Sequence, residues 1–213
     1  HEFEQYYSSQ GAGQFAAQVQ TNNIQVSLLA LAGGATAGTL TVAVLLSNGF
    51  SLGAVGALMH QNDAAGTFWG LILPHGLLEI SAIIVAGAVG LKLGWAILAP
   101  GEDRSRTEAI TSEARNGVTI VVGLAIWFVV AGFIEALVTP SGLPAAVRIL
   151  IGVLALAAAV LHVLAFGPAA LAQARSDDAT DPWESERADL ARADKLTSGI
   201  VAGTPAPTAP RAP

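Results

Sequence analysis

Three ionisable side chains lie inside otherwise apolar stretches, and their types and spacing raise the question of chemistry first. His75 and Glu79, in PHGLLE, are four residues apart, so a helix places them on one face where imidazole and carboxylate can hydrogen-bond. Glu135, in GFIEAL, sits near the end of a later apolar run. A charge at the centre of a bilayer costs about 2.5–3.5 kcal/mol on insertion scales, so such groups face a partner. One reading is a site that handles protons or ions, or a polar pocket between helices. The other is a buried, hydrogen-bonded staple that also satisfies backbone freed by Pro74. Both bring Glu135 close to His75 and Glu79. One His with one or two Glu falls short of the three protein ligands of a catalytic zinc, and HExxH is absent, so no metal is expected. There is no G-x-S-x-G, no P-loop and no G-x-G-x-x-G after a strand, so no catalytic residues and no cofactor are assigned, and the expectation is a protein that is not an enzyme. His162, alone on an apolar face, reads as a packed core histidine.

The elements that position these residues are read from composition. Of 213 residues, 53% are hydrophobic and 12% charged, against roughly 25% charged in ordinary soluble domains. With a mean hydropathy of +0.56, this is the profile of a chain embedded in a lipid bilayer. A net charge of −6 argues against nucleic-acid binding, and the absence of cysteine excludes disulfides and thiolate chemistry.

The fold class expected is an all-α, polytopic transmembrane helix bundle. Residues 1–23 read as an exposed lead-in, ending in Asn22-Asn23 as a helix cap. The transmembrane domain covers 24–166. Its first span is 24–47, a run without a charge; Asn48-Gly49 reads as a turn, and 50–60 as a short crossing or re-entrant helix. A helix kinked or broken at Pro74 covers 67–98, an amphipathic surface helix 103–116 opens with the capping box Ser105-x-x-Glu108, and further spans cover 117–138 and 145–166. Pro140 lies in the tight turn between the last two, and Gly167-Pro168 ends the final span. The tail, 167–213, reads as cytoplasmic and largely disordered, with one helix start at Asp181-Pro182-Trp183-Glu184.

Every Lys and Arg lies at position 92 or later. Arg104, Arg106 and Arg115 therefore place the 101–116 loop in the cytoplasm, the tail follows, and residues 1–23 fall outside. An odd number of crossings must then separate the N-terminus from that loop, which favours a crossing at 50–60. Small residues four apart, at Gly34/Gly38, Gly49/Gly53 and Ala86/Gly90/Gly94, allow close helix contact within the chain or between copies in a homodimer.

The segments NNIQVSLLALAGGATAGTLTVAVLLSNGFSLGA (22–54), FWGLILPHGLLEISAIIVAGAVGLKLGWAILAPG (68–101) and GFIEALVTPS (132–141), in this order, resemble the stage II sporulation protein M family of integral membrane proteins. The resemblance covers about residues 10–166. It rests on Asn22-Asn23, Asn48-Gly49, His75-Gly76 with Glu79 opening a Gly-rich helix, and Glu135 before Pro140. It implies a multi-span, non-enzymatic protein of the bacterial cell membrane, preceded in family members by a cytoplasmic region and one further span. In spore formers such proteins organise partners that cut peptidoglycan. The expected role is a scaffold of a cell-envelope complex acting through other membrane or envelope proteins, with His75, Glu79 and Glu135 as a buried polar cluster. The alternative is a transporter or permease-like subunit that uses intramembrane carboxylates and a broken helix.

Overall fold

The computed structural model describes residues 12–101 and 104–179, together with Leu190, Arg192 and Ala193. Five long helices follow one another: α1 (Ala12–Ala32), α2 (Thr39–Gln61), α3 (Ala65–Leu98), α4 (Arg106–Phe133) and α5 (Ala145–Ala179). A 3-10 turn, Gly33–Thr36, joins α1 to α2, and a π-helical turn, Ile134–Val138, extends α4. No strand occurs among the described residues. Thr39–Gln61, Ala65–Leu98, Arg106–Val138 and Ala145–Ala169 are long and apolar enough to cross a membrane. The chain is an all-α, multi-pass membrane bundle.

Residues His1–Val160 form one compact unit, and α3 is its core. Ala82, Ile83 and Ala86 of α3 pack with Leu124 and Phe128 of α4. Outward-facing side chains are large and apolar, such as Leu46 and Phe50 on α2, Ile126 on α4 and Leu154 on α5. An apolar exterior over a core in which alanines and glycines of α3 let helices approach closely suits a bilayer, where close backbone contact replaces the hydrophobic drive for association. The second unit, Leu161–Pro213, contains the end of α5, where the exposed His162 ring rests beside Phe166, centroids 4.9 Å apart. His162 is thus a surface residue and not a packed core histidine.

The helix boundaries differ from the sequence expectation in one consistent way. The run 24–47 is not a single span: its first third ends α1, the chain turns at 33–38, and α2 begins at Thr39. Ala37 and Gly38 both take left-handed backbone, φ 55° and 83°, which turns α2 back along α1. Asn48-Gly49 is no turn, and 50–60 is no separate short helix, because both lie inside α2. Asn22-Asn23 cap nothing; they sit in the middle of α1, so residues 12–23 of the lead-in are helix. α3 runs unbroken through Pro74. Residues 106–116 are the first turns of α4 and not a distinct surface helix, although Ser105 and Glu108 do form the reciprocal capping box. α5 continues through Gly167-Pro168 to Ala179, so the tail begins as helix. Residues 1–11, 102–103, the helix start at 181–184 and the Pro-rich terminus lie outside the described residues.

The physical reason is common to these differences. Hydrocarbon offers no water to a freed N–H or C=O, so the intrahelical ladder persists through Asn-Gly and Pro signals that end helices in water. The chain breaks where glycines let it turn while packing tightly. At Gly90 of α3 a Cβ would collide with the carbonyl oxygen of Ala30 and lie 2.9 Å from Thr41 Oγ1. Thr41, fully buried, donates its hydroxyl to that same Ala30 carbonyl at 2.7 Å. Gly34 and Gly94 join this crossing, so the stripes Gly34/Gly38 and Ala86/Gly90/Gly94 serve packing within the chain, while Gly49 and Gly53 face open space.

α1 and α3 run in the same direction. Asn23 lies beside Glu79 and Ala30 beside Gly90, whereas Gln20 meets Phe128 near the far end of the antiparallel α4. At 21 residues α1 is about 31 Å long, the depth of a bilayer core, but its six amide side chains keep its hydropathy below that of the other helices.

Candidate functional site

α3 presents His75 and Glu79 one turn apart on its buried face, immediately after Pro74. Glu135 comes from the π-turn that closes α4. The wider turn bonds Thr139 N to Ile134 O at 2.9 Å, five residues back, and both Glu135 and Thr139 are buried. His75 Nδ1 forms an ion pair with Glu135 Oε2 and lies 3.4 Å from Thr139 Oγ1. Glu79 turns to α1, where Asn23 Nδ2 donates to Glu79 Oε2. His75, Glu79 and Glu135 are exposed by only 4%, 1% and 4%, so the cluster is sealed from the surface of the bundle.

Two atoms in the cluster stand out. Glu79 Oε1 is buried and accepts no hydrogen bond, and Glu135 Oε2 meets its imidazole as a charge contact without accepting one. Around the cluster, Gln20 Nε2 donates to the Phe128 carbonyl and Arg148 Nη1 to the Thr139 carbonyl, securing α1 to α4 and α5 to the π-turn. α5 meets α3 at Gly152, where a Cβ would run into the carbonyls of Leu73 and Pro74. Among the described residues no group of three or more His, Asp or Glu is arranged to hold a metal ion. The arrangement suits charge-paired cohesion of four helices at one level.

The structure therefore unites His75, Glu79 and Glu135. Pro74 adjoins them as a buried helix residue, Pro140 lies in the turn just after Thr139, and Asn48 and Gly49 are remote on α2. Sequence reading missed four contributors: Asn23 as a partner of Glu79, and Gln20, Thr139 and Arg148. The signal for the first two was present. Gln20, Asn23, Ser27 and Ala30 recur at intervals of three and four, which is one helix face beginning before residue 24.

Residues 1–140 match the family model for stage II sporulation protein M. The chain belongs to the stage II sporulation protein M family. The match includes His75, Glu79, Glu135, Asn23 and Thr139 and stops ahead of α5, short of residue 166 to which the resemblance extended. Among curated proteins, the chain is similar to an uncharacterised protein of Methanocaldococcus jannaschii, MJ0793. The two are 32% identical over 124 residues, which cover 58% of this chain and 70% of the relative. No solved structure matches. Family membership thus attaches to the part of the bundle that builds the polar cluster, α1 to the π-turn.

Proposed function

We propose that this stage II sporulation protein M family member is a non-enzymatic membrane scaffold of a cell-envelope complex and works through protein partners. The observation that carries the reading is the closure of the ionisable cluster. His75 is buried against Glu135 and Thr139, and Glu79, one turn along α3, is buried against Asn23. Among the described residues, two cavities on the flanks of α1 are lined by other residues. Groups used this way hold helices in register and leave the outer faces for recognition. The envelope-remodelling role is the one the family resemblance implies. A partner-binding region on the cytoplasmic side fits the charged stretch 101–116.

The orientation belongs to the same proposal. Lys92, Arg104, Arg106 and Arg115 gather where α3 ends and α4 begins, and Lys92 Nζ pairs with Glu113 Oε2 at 2.7 Å. Taking that end as cytoplasmic, α1, α2 and α3 make three crossings, an odd number, and put the start of α1 outside without a short helix at 50–60. Arg148 falls at the other end, with its guanidinium engaged by the Thr139 carbonyl.

The orphaned Glu79 Oε1 favours the second reading, a transporter subunit with a carboxylate kept ready for a proton or cation. One experiment separates the two. Extraction from native membranes in mild detergent after brief crosslinking should bring down envelope proteins in fixed proportion to the chain. Recovery of the chain alone, combined with solute flux in liposomes that is lost in Glu79→Gln, would overturn the scaffold and install the transporter.

A further inference from the structure

Between α1 and α2 lies a groove of about 560 Å³ lined by Asn22, Val26, Leu29, Ala43, Val44, Ser47, Asn48 and Ser51. Asn22 is at the middle of α1, and Ser47, Asn48 and Ser51 are at the middle of α2, so the polar lining sits at the centre of the bundle's depth. Asn22, Ser47 and Ser51 are exposed and Asn48 half-buried. None of these four side chains hydrogen-bonds to another described residue. Gln25, one turn along α1, is likewise exposed. Exposed amides are ordinary in water, but at mid-bilayer they face lipid tails that offer no hydrogen bond, which is heavily unfavourable.

We infer that this face is the seat of a second copy of the chain, with Asn22, Ser47, Asn48 and Ser51 hydrogen-bonding across a two-fold interface. Chemistry selects the occupant. The groove and its rim carry no formal charge, and the chain has none between Glu4 and Asp63, so a charged partner gains nothing there. A carboxamide is both donor and acceptor, and a hydroxyl is too, so the face is its own complement. A two-fold axis along the membrane normal brings together residues of equal depth, which places the Asn48 and Ser51 side chains of one copy against those of the other. Interhelical amide contacts of this kind are an attested source of association in bilayers. The dimer does not depend on the scaffold role, since a transporter with the same face would pair in the same way.

The chain has no cysteine, which makes the test direct. Single variants Ser47→Cys and Ser51→Cys, reconstituted in lipid vesicles and exposed to a mild oxidant, should form disulfide-linked dimers. Leu154→Cys on α5 and Ile126→Cys on α4, also exposed, should not. Adding Asn22→Ala and Asn48→Ala should weaken dimerisation by roughly threefold to thirtyfold for each interhelical hydrogen bond lost. Size-exclusion profiles establish that these variants fold, and the conservative Ser51→Cys chain carries the test if they do not. Equal crosslinking at the α4 and α5 positions overturns the inference, as do single-step photobleaching of the vesicle-bound chain and labelling of Ser51→Cys by a water-soluble maleimide without crosslinking. That last result would make the groove a water-filled path.

Discussion

The pair His75–Glu135 offers a quantitative test of the reasoning, through His75→Leu, Glu135→Leu and the double variant. Both groups are at least 95% buried, so neither can exchange its partner for water. Removing one member of a buried ion pair costs about 3–5 kcal/mol, because the other is left uncompensated, whereas replacing both by apolar residues of similar size is close to neutral. The two single variants should also differ. Without Glu135, the imidazole still has Thr139 Oγ1 at 3.4 Å. Without His75, the buried Glu135 carboxylate loses the imidazole it pairs with, and a carboxylate is the costlier group to leave buried without a partner. His75→Leu should therefore be the worse of the two. With about 2–4 °C per kcal/mol for a chain of this size, the melting midpoint should fall by about 6–20 °C in the single variants, and the double variant should recover most of that loss. The assay is thermal unfolding in detergent, followed as loss of the monodisperse size-exclusion peak. Additive losses in the double variant, or single variants within 2 °C of the parent by the same scale, would refute the pairing.

Three further outcomes are expected. Asn23→Leu removes the hydrogen bond to Glu79 Oε2 and should cost about 1.5–3 kcal/mol, the range for bonds to charged groups; an unchanged midpoint would detach α1 from the cluster. Gly90→Ala drives a Cβ into the Ala30 carbonyl and should destabilise by about 1–3 kcal/mol, while Gly49→Ala, with nothing within 4 Å, should be neutral or stabilising; equal midpoints would contradict the α1–α3 crossing. Ala37→Gly relieves a left-handed backbone with φ 55° and should raise stability by about 0.5–1 kcal/mol, after allowing for the freer unfolded chain; a lower midpoint would argue against that turn.

The carboxylates and the histidine were legible because the bilayer penalises them: in long apolar runs, His75, Glu79 and Glu135 need partners. The i, i+4 spacing on α3 is local information. Thr139 was not legible, because it reaches His75 only through the π-turn, and nothing in IEALVTP marks a turn that is one residue wider than usual. Arg148 was visible as a charge but not as a partner, since its acceptor is a main-chain carbonyl that composition cannot show.

The misplacement of α1 has a different origin. Reading spans by hydropathy counts each residue as though it faced lipid, yet two of α1's six amides, Gln20 and Asn23, are answered by the bundle. Gln20 and Asn23 point inward to Phe128 and Glu79, where an amide is an asset because the acceptors it meets are themselves buried. That geometry makes a helix too polar to cross alone stable beside α3 and α4, so its place in the bundle is a property of the assembled fold and not of the segment. The same argument bears on its other face. Asn22 and Gln25 have no such acceptor in the described chain, and the rule that places Gln20 and Asn23 against polar partners requires partners for them as well.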